Sequence, residues 1–216
     1  MTTSSPNTRP LPASTTPTVL LIVDVQIGLN VHDTTYYGLT RSNPAFEANM
    51  TTLLAACRNY NANLPSSSPP RHPITILHIN HHSTDPLSPL HPSKPTSSPQ
   101  PCALPLPTEP LLHKSANSAF VGTDLASLLA SHSCRQLLVA GIATDHCVST
   151  TVRMAADLEV CGGRREGVWL VEDATACFDN GGSFGVEVVQ GVSVESLRGE
   201  FCEVTGVKGV VEGCLR

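Results

Sequence analysis

A chain of 216 residues that is 40% hydrophobic and 14% charged can close one core of ordinary size, which excludes a charged disordered polymer and makes two full domains improbable. A formal net charge of −5 speaks against nucleic acid and anionic membranes as partners. No apolar run approaches the roughly 18 residues of a membrane span, and the N-terminus has no charged-then-apolar signal pattern, so the expected location is cytoplasmic.

Proline marks the organisation. Four of the 18 prolines fall in the first 17 residues, thirteen lie between Pro65 and Pro110, and none follows. Residues 1–17, rich in Ser, Thr and Pro, bury too little apolar surface to order themselves and are expected to form a flexible tail before a single domain over 18–216. VLLIVD (19–24) is a continuous, partly β-branched apolar run, as a strand buried on both faces requires. Asn43 then reads as an N-cap before Pro44, with Phe46, Met50, Leu53 and Leu54 at helical spacing through about Tyr60.

ITILHIN (74–80) is a second buried strand. Residues 81–110 form a proline-rich loop of a length that suggests a lid or a disordered segment. LLHK (111–114) is a short strand, Thr123 caps a helix through DLASLLASH, QLLVAG (136–141) is a strand and HCVSTTVRMAADL (146–158) a helix. GVWLVEDA (167–174) is the next strand, a helix follows over about 182–190, and FCEVTG (201–206) closes the series as a strand. Strands alternating with helices imply right-handed crossovers and a mostly parallel, Rossmann-like sheet: an α/β fold in three layers, an α/β/α sandwich.

The eight cysteines are scattered without a CxxC pair, which reads as reduced thiols, most of them small core residues. In parallel sheets the ligand site lies beyond the carboxyl ends of the strands, where strand order reverses. Those ends carry Asp24, Asn80 to His82, Lys114, Thr144 to Cys147 and Asp173. A carboxylate after a fully apolar strand must be paired, and Lys114 is its candidate partner. Cys147 falls in the first turn of the 146–158 helix, where free N–H groups favour a thiolate. An acid, a lysine and a cysteine together fit nucleophilic catalysis; they also fit a buried salt bridge with a packed cysteine beside it.

Three strings carry a resemblance: LLIVDVQIGL around Asp24, HKSANSAFVGTDL around Lys114 and VAGIATDHCVSTTVRMAADL around Cys147, with VWLVEDATACFD following. Over about residues 18–205 they resemble the isochorismatase-like cysteine hydrolase superfamily. The resemblance implies that Asp24, Lys114 and Cys147 form a catalytic triad, with Cys147 as nucleophile, Asp24 as proton shuttle and Lys114 lowering the thiol pKa. It implies a cis peptide between Ile142 and Ala143, and an oxyanion hole from the amides of Ala143 and Cys147. It also implies cleavage of a C–N bond in a small molecule through a thioester, no cofactor, and assembly as a homo-oligomer, a dimer or tetramer.

Nicotinamidases of this superfamily carry an Asp-x-His metal pair where this chain reads His81, His82, Ser83, which argues against nicotinamide and against a metal. His78, His81, His82, His91 and Asp85 do crowd one stretch, but a proline-rich loop promises no fixed ligand geometry. Gln26, His81 and Phe120 are the candidate substrate contacts, although Phe120 fits the core equally well. A Cys–His dyad of His146 and Cys147 is disfavoured, since neighbours on a helix do not face each other. The alternatives are vinyl-ether hydrolysis of the isochorismatase type, which the presence of Cys147 disfavours, a non-catalytic member, and a nucleotide-binding α/β protein, which VDVQIGLN with its one glycine disfavours.

Overall fold

The computed structural model describes residues 9–30, 35–65, 71–163 and 167–216. Six strands form its sheet: β1 (Thr18–Val23), β2 (Thr75–His81), β3 (Leu111–Lys114), β4 (Gln136–Ile142), β5 (Val168–Ala176) and β6 (Glu203–Thr205). Their spatial order is β3-β2-β1-β4-β5-β6, and every pairing is parallel. Strand order therefore reverses between β1 and β4, which opens a crevice at their carboxyl ends.

Alternation along β1 builds two cores. Leu20 and Ile22 face α1 (Phe46–Ala62) and α5 (Val207–Gly213), while Val19, Leu21 and Val23 face α2 (Leu125–Ser131), α3 (Ser149–Asp157) and α4 (Val186–Glu195). The result is a three-layer α/β/α sandwich. Phe46, Met50, Leu53, Leu54 and Cys57 put one stripe of α1 against the sheet, and each large side chain so buried contributes about 1.5–3 kcal/mol. Gly141 is what lets β4 approach the end of β1. Its φ is +136°, and a Cβ there would lie 2.0 Å from the Val23 carbonyl oxygen.

Several boundaries differ from the expectations. β1 ends at Val23, and Asp24 turns out of it with φ +53°, a conformation aspartate tolerates better than most residues. Asn43 does not cap α1, which begins after Ala45; its side chain donates instead to the Asp173 and Thr175 carbonyls of β5, at 2.8 and 2.9 Å. Thr123 Oγ1 does accept the Leu125 amide, at 3.3 Å. The helix expected over 182–190 begins only at Val186, after the Gly181–Gly182 pair, and α5 was not anticipated.

The tail and the loop also differ. From Arg9 onward the tail is docked: the Leu11 amide donates to Gln136 Oε1 at 2.7 Å, the Ala13 amide to the Cys214 carbonyl at 2.8 Å, and Ala13 is fully buried. The first eight residues lie outside the described ones. The 81–110 segment is ordered rather than structureless, with 3-10 turns at Pro95–Ser97 and Pro101–Ala103 and with Ser88, Leu90, Ser97, Gln100 and Ala103 buried. Proline fixes φ in that segment, and buried side-chain amides supply the hydrogen bonds its backbone would otherwise lack. All eight cysteines are free thiols.

Candidate active site

Three strand ends converge on the crevice. Asp24 follows β1, Lys114 is the last residue of β3, and Cys147 lies in a π-helical turn, Thr144–Val148, between β4 and α3. That turn replaces the α-helical start expected at His146. The Ala143 carbonyl accepts the amides of His146 at 3.0 Å and Val148 at 3.1 Å, the second bond being the five-residue step that defines the π turn. The Ile142–Ala143 peptide that leads into it is cis.

Lys114 is the hub. Its buried Nζ donates to Asp24 Oδ2 at 2.5 Å, to the Ala116 carbonyl at 3.1 Å and to Cys147 Sγ at 3.3 Å, and lies 3.4 Å from His81 Nδ1. Asp24 Oδ1 is buried without a conventional hydrogen bond among the described residues, and the carboxylate lies within 4.8 Å of the Cys147 sulfur. Burial pushes the Asp24 carboxyl above its ordinary value, against the opposing pull of Lys114. Burial also pushes the Cys147 thiol up to about 12, and the Asp24 charge adds to it; Lys114 acts in the lowering direction but does not win. The expectation of a thiolate favoured by a helix N-terminus is thus corrected for the resting site, where desolvation and a neighbouring carboxylate outweigh the turn's N–H groups.

His81 joins this group. Burial first, then Lys114, hold its pKa below the ordinary value, so the neutral ring accepts from the ammonium. Asp24, His81 and Cys147 have the atom types of a metal site, with donor atoms within 4.8 Å of one another. The Lys114 ammonium contacts all three, so the trio already holds a cation. The other crowded residues are dispersed: His78 bonds Glu109 at 3.0 Å, His82 stacks on His113 with centroids 4.0 Å apart, His91 bonds Ser93 at 2.7 Å and Asp85 accepts from Tyr36 at 3.2 Å.

A cavity of about 240 Å³ opens beside the sulfur. Asp24, His81, Ala143 and Cys147 form the side nearest the strand ends, Asn117, His146 and Asn180 its polar rim, and Leu29, Tyr37, Leu90, Ile142 and Phe178 its walls. Gln26 and Phe120, expected as substrate contacts, do not line it. Gln26 is fully buried, donating to the Ser97 carbonyl at 2.6 Å and the His81 carbonyl at 3.0 Å and accepting from the His81 amide at 2.7 Å. It thus clamps the end of β2 to the 81–110 segment, because a buried amide must satisfy its own polar atoms. Phe120 packs against the core formed with α2 and α3.

Sequence reasoning did not find Asn117, Tyr37, Phe178 or Asn180. Asn117 Oδ1 lies 3.9 Å from Cys147 Sγ and stands inside the string around Lys114, which was the available signal. His146 does reach the cavity, paired with Asp145 at 3.3 Å rather than with Cys147. Asp145 raises the His146 pKa; burial pushes Asp145 itself up, but His146, Cys177 and a backbone amide together outweigh burial and leave that carboxyl below the usual range.

The isochorismatase domain model matches residues 18–205. The chain belongs to the isochorismatase family. It is 29% identical over 189 residues to the isochorismatase family protein YrdC of Bacillus subtilis (strain 168), spanning 86% of this chain and 89% of that protein. A crystal structure from Chromobacterium violaceum ATCC 12472, assigned as a hydrolase of the isochorismatase family, superposes with TM-score 0.77 and 32% identity over 96% of this chain and 98% of that one. The fold is shared at 20% identity with a cysteine hydrolase from Pseudomonas syringae pv. phaseolicola 1448A, with TM-score 0.72 over 96% and 97% of the two chains. Among the described residues, no helix is long and apolar enough to cross a membrane.

Proposed function

We propose that this isochorismatase-family hydrolase is a cysteine amidohydrolase that cleaves a C–N bond of a small molecule through a thioester on Cys147. The observation that carries the reading is the buried Lys114 ammonium, 2.5 Å from Asp24 and 3.3 Å from Cys147, at the side of a cavity large enough for a small amide. A thiol is a nucleophile only as its anion, so attack needs a base within reach and a cation nearby. Asp24 and Lys114 have those two properties.

In the proposed sequence the Cys147 proton passes to Asp24 as the sulfur attacks the amide carbon, and the C–S bond forms. The amides of Ala143 and Cys147 would receive the oxyanion; loss of one such donor typically costs about 100 to 1,000-fold in rate. Asp24 then gives its proton to the departing nitrogen as the C–N bond breaks, leaving the thioester. Water attacks next, with Asp24 taking its proton, and the acid leaves as that proton returns to the sulfur. A carboxyl raised by burial suits this traffic, because an acid–base group works best with a pKa near the working pH.

The test is ammonia release from a panel of small primary amides by wild type and Cys147→Ala. Release that vanishes in the variant supports the reading. Release that persists in the variant, or silence across the whole panel, refutes it.

A further inference from the structure

The charged groups around the cavity come in pairs. Asp24 is matched by Lys114, and Asp145 by His146. Among the described residues that line the cavity there is no arginine and no lysine, and the sequence between Leu29 and Tyr37 contains neither. The nearest cation, Lys114, already has more acceptors than donors: Asp24, Ala116, Cys147 and His81 surround its three N–H bonds. Arg41 does not line the cavity: its Nη2 donates to both Glu47 oxygens at 2.7 Å and its guanidinium lies over the Phe46 ring, while its Nε and Nη1 are buried without a hydrogen-bond partner among the described residues. A carboxylate entering the cavity would lose water and meet no lysine or arginine among its described lining residues, with His146 already paired to Asp145, and an unpaired buried charge is strongly disfavoured.

The walls point the same way. Leu29, Leu90, Ile142 and Phe178 are all buried and apolar, and the hydroxyl of the lining Tyr37 is engaged with Ser88 Oγ at 3.1 Å. Asn117 and Asn180 add uncharged amides at the rim. At interior packing density a cavity of about 240 Å³ takes a ligand of roughly ten heavy atoms.

We propose that the cavity admits uncharged acyl groups with an apolar body of about that size and excludes those bearing a carboxylate. The inference rests on the acyl-transfer reading of the same site and adds the substrate class. The site is set to prefer a simple aliphatic or aromatic carboxamide over its carboxylate-bearing counterpart.

Two matched pairs test it: pentanamide against succinamate, and 5-methylhexanamide against glutaramate, each read as kcat/KM for ammonia release. The neutral member should lead by about tenfold or more, the carboxylate finding no counter-charge. Equal rates, or a preference for the carboxylates, overturn the substrate class while leaving the amidohydrolase reading intact. A second readout does not need turnover. Cys147 is alkylated with iodoacetamide or iodoacetate, where the C–S bond forms, iodide leaves and the thiol proton passes to buffer; the site is read by peptide mass spectrometry and normalised to glutathione. Iodoacetamide should lead by about tenfold relative to glutathione, and a ratio at or below that of glutathione overturns the proposal.

Asn180 is exposed at the cavity rim, so Asn180→Arg adds a cation without disturbing the core. It should move both ratios towards the carboxylates, and unchanged ratios would show that the cavity does not read charge. If no amide in either pair is hydrolysed, the acyl-transfer reading falls and the alkylation ratio still decides whether carboxylates are excluded.

Discussion

Replacing Asp24 with asparagine should make Cys147 more reactive towards a simple alkylating agent while abolishing turnover. The Asp24 carboxylate lies within 4.8 Å of the Cys147 sulfur, and its charge is the second largest cause, after burial, of a thiol pushed up to about 12. At an effective dielectric of about 20, two unit charges at that distance interact by about 3.5 kcal/mol, or about 2.5 pKa units. Asp24→Asn keeps the side-chain shape and removes the charge, leaving Lys114 unopposed. The thiol should fall to between about 9 and 10, and the thiolate fraction at pH 8 should rise by about 300-fold. A less basic thiolate is also a weaker nucleophile, with a Brønsted slope near 0.45, so the net gain in alkylation rate is about 20 to 30-fold. Hydrolysis, in which the proposed sequence has Asp24 move the proton, should fall by about 100 to 10,000-fold. Iodoacetamide labelling of Cys147 from pH 7 to 10, followed by peptide mass spectrometry, reads the first effect, and ammonia release reads the second. Slower alkylation in Asp24→Asn would refute the reasoning, because it would mean that Asp24 already draws the thiol proton in the resting enzyme.

Four further outcomes follow from the same geometry. Gln26→Ala removes three hydrogen bonds, one buried and two part-buried, by which Gln26 ties His81 at the end of β2 to Ser97, and should lower stability by about 2–3 kcal/mol, read as a shift in urea midpoint. Gly141→Ala should cost more than about 4 kcal/mol or prevent folding, because its Cβ would meet the Val23 carbonyl at 2.0 Å; Gly181→Ala, also at positive φ but in open space, should cost only about 1–2 kcal/mol by thermal unfolding. A chelator should leave ammonia release unchanged, since Lys114 is the cation among Asp24, His81 and Cys147; loss of activity that zinc restores would contradict this. Burial pushes Glu109 up, but Arg58, the Leu106 amide and His78 outweigh it and hold the carboxyl below 4.5. Its stabilisation is therefore present above that value and lost as pH falls through the lower folded one, so Glu109→Gln should flatten the acid loss of the urea midpoint below pH 5.

The three groups of the proposed mechanism were legible for a topological reason. A parallel sheet brings every strand's carboxyl end to one edge, so locating the apolar runs by their length and branching also located Asp24, Lys114 and Cys147, although 123 residues separate the first from the last. Strand runs are strong signals because both faces are buried and no polar residue interrupts them, as the fully buried β1 and β4 illustrate. The short pieces were less visible. α5 has seven residues and follows a three-residue strand, too little chain for periodicity to stand out.

The cavity walls were illegible for the opposite reason. Leu29, Tyr37, Leu90 and Phe178 sit in connecting segments, where no repeat tells an apolar residue that lines a cavity from one that plugs the core. Gln26 was misread in the same way: two residues beyond Asp24 it looked like a polar substrate contact, yet its amide is consumed by His81 and Ser97. Those bonds are what order the proline-rich segment that carries Leu90, so the residue taken for a binding group builds the wall instead. On the proposed reading, strand termini carry the chemistry and the loops above them the selectivity, so substitutions at 29, 90, 178 and 180 should change which acyl group enters while leaving the contacts among Asp24, Lys114 and Cys147 intact.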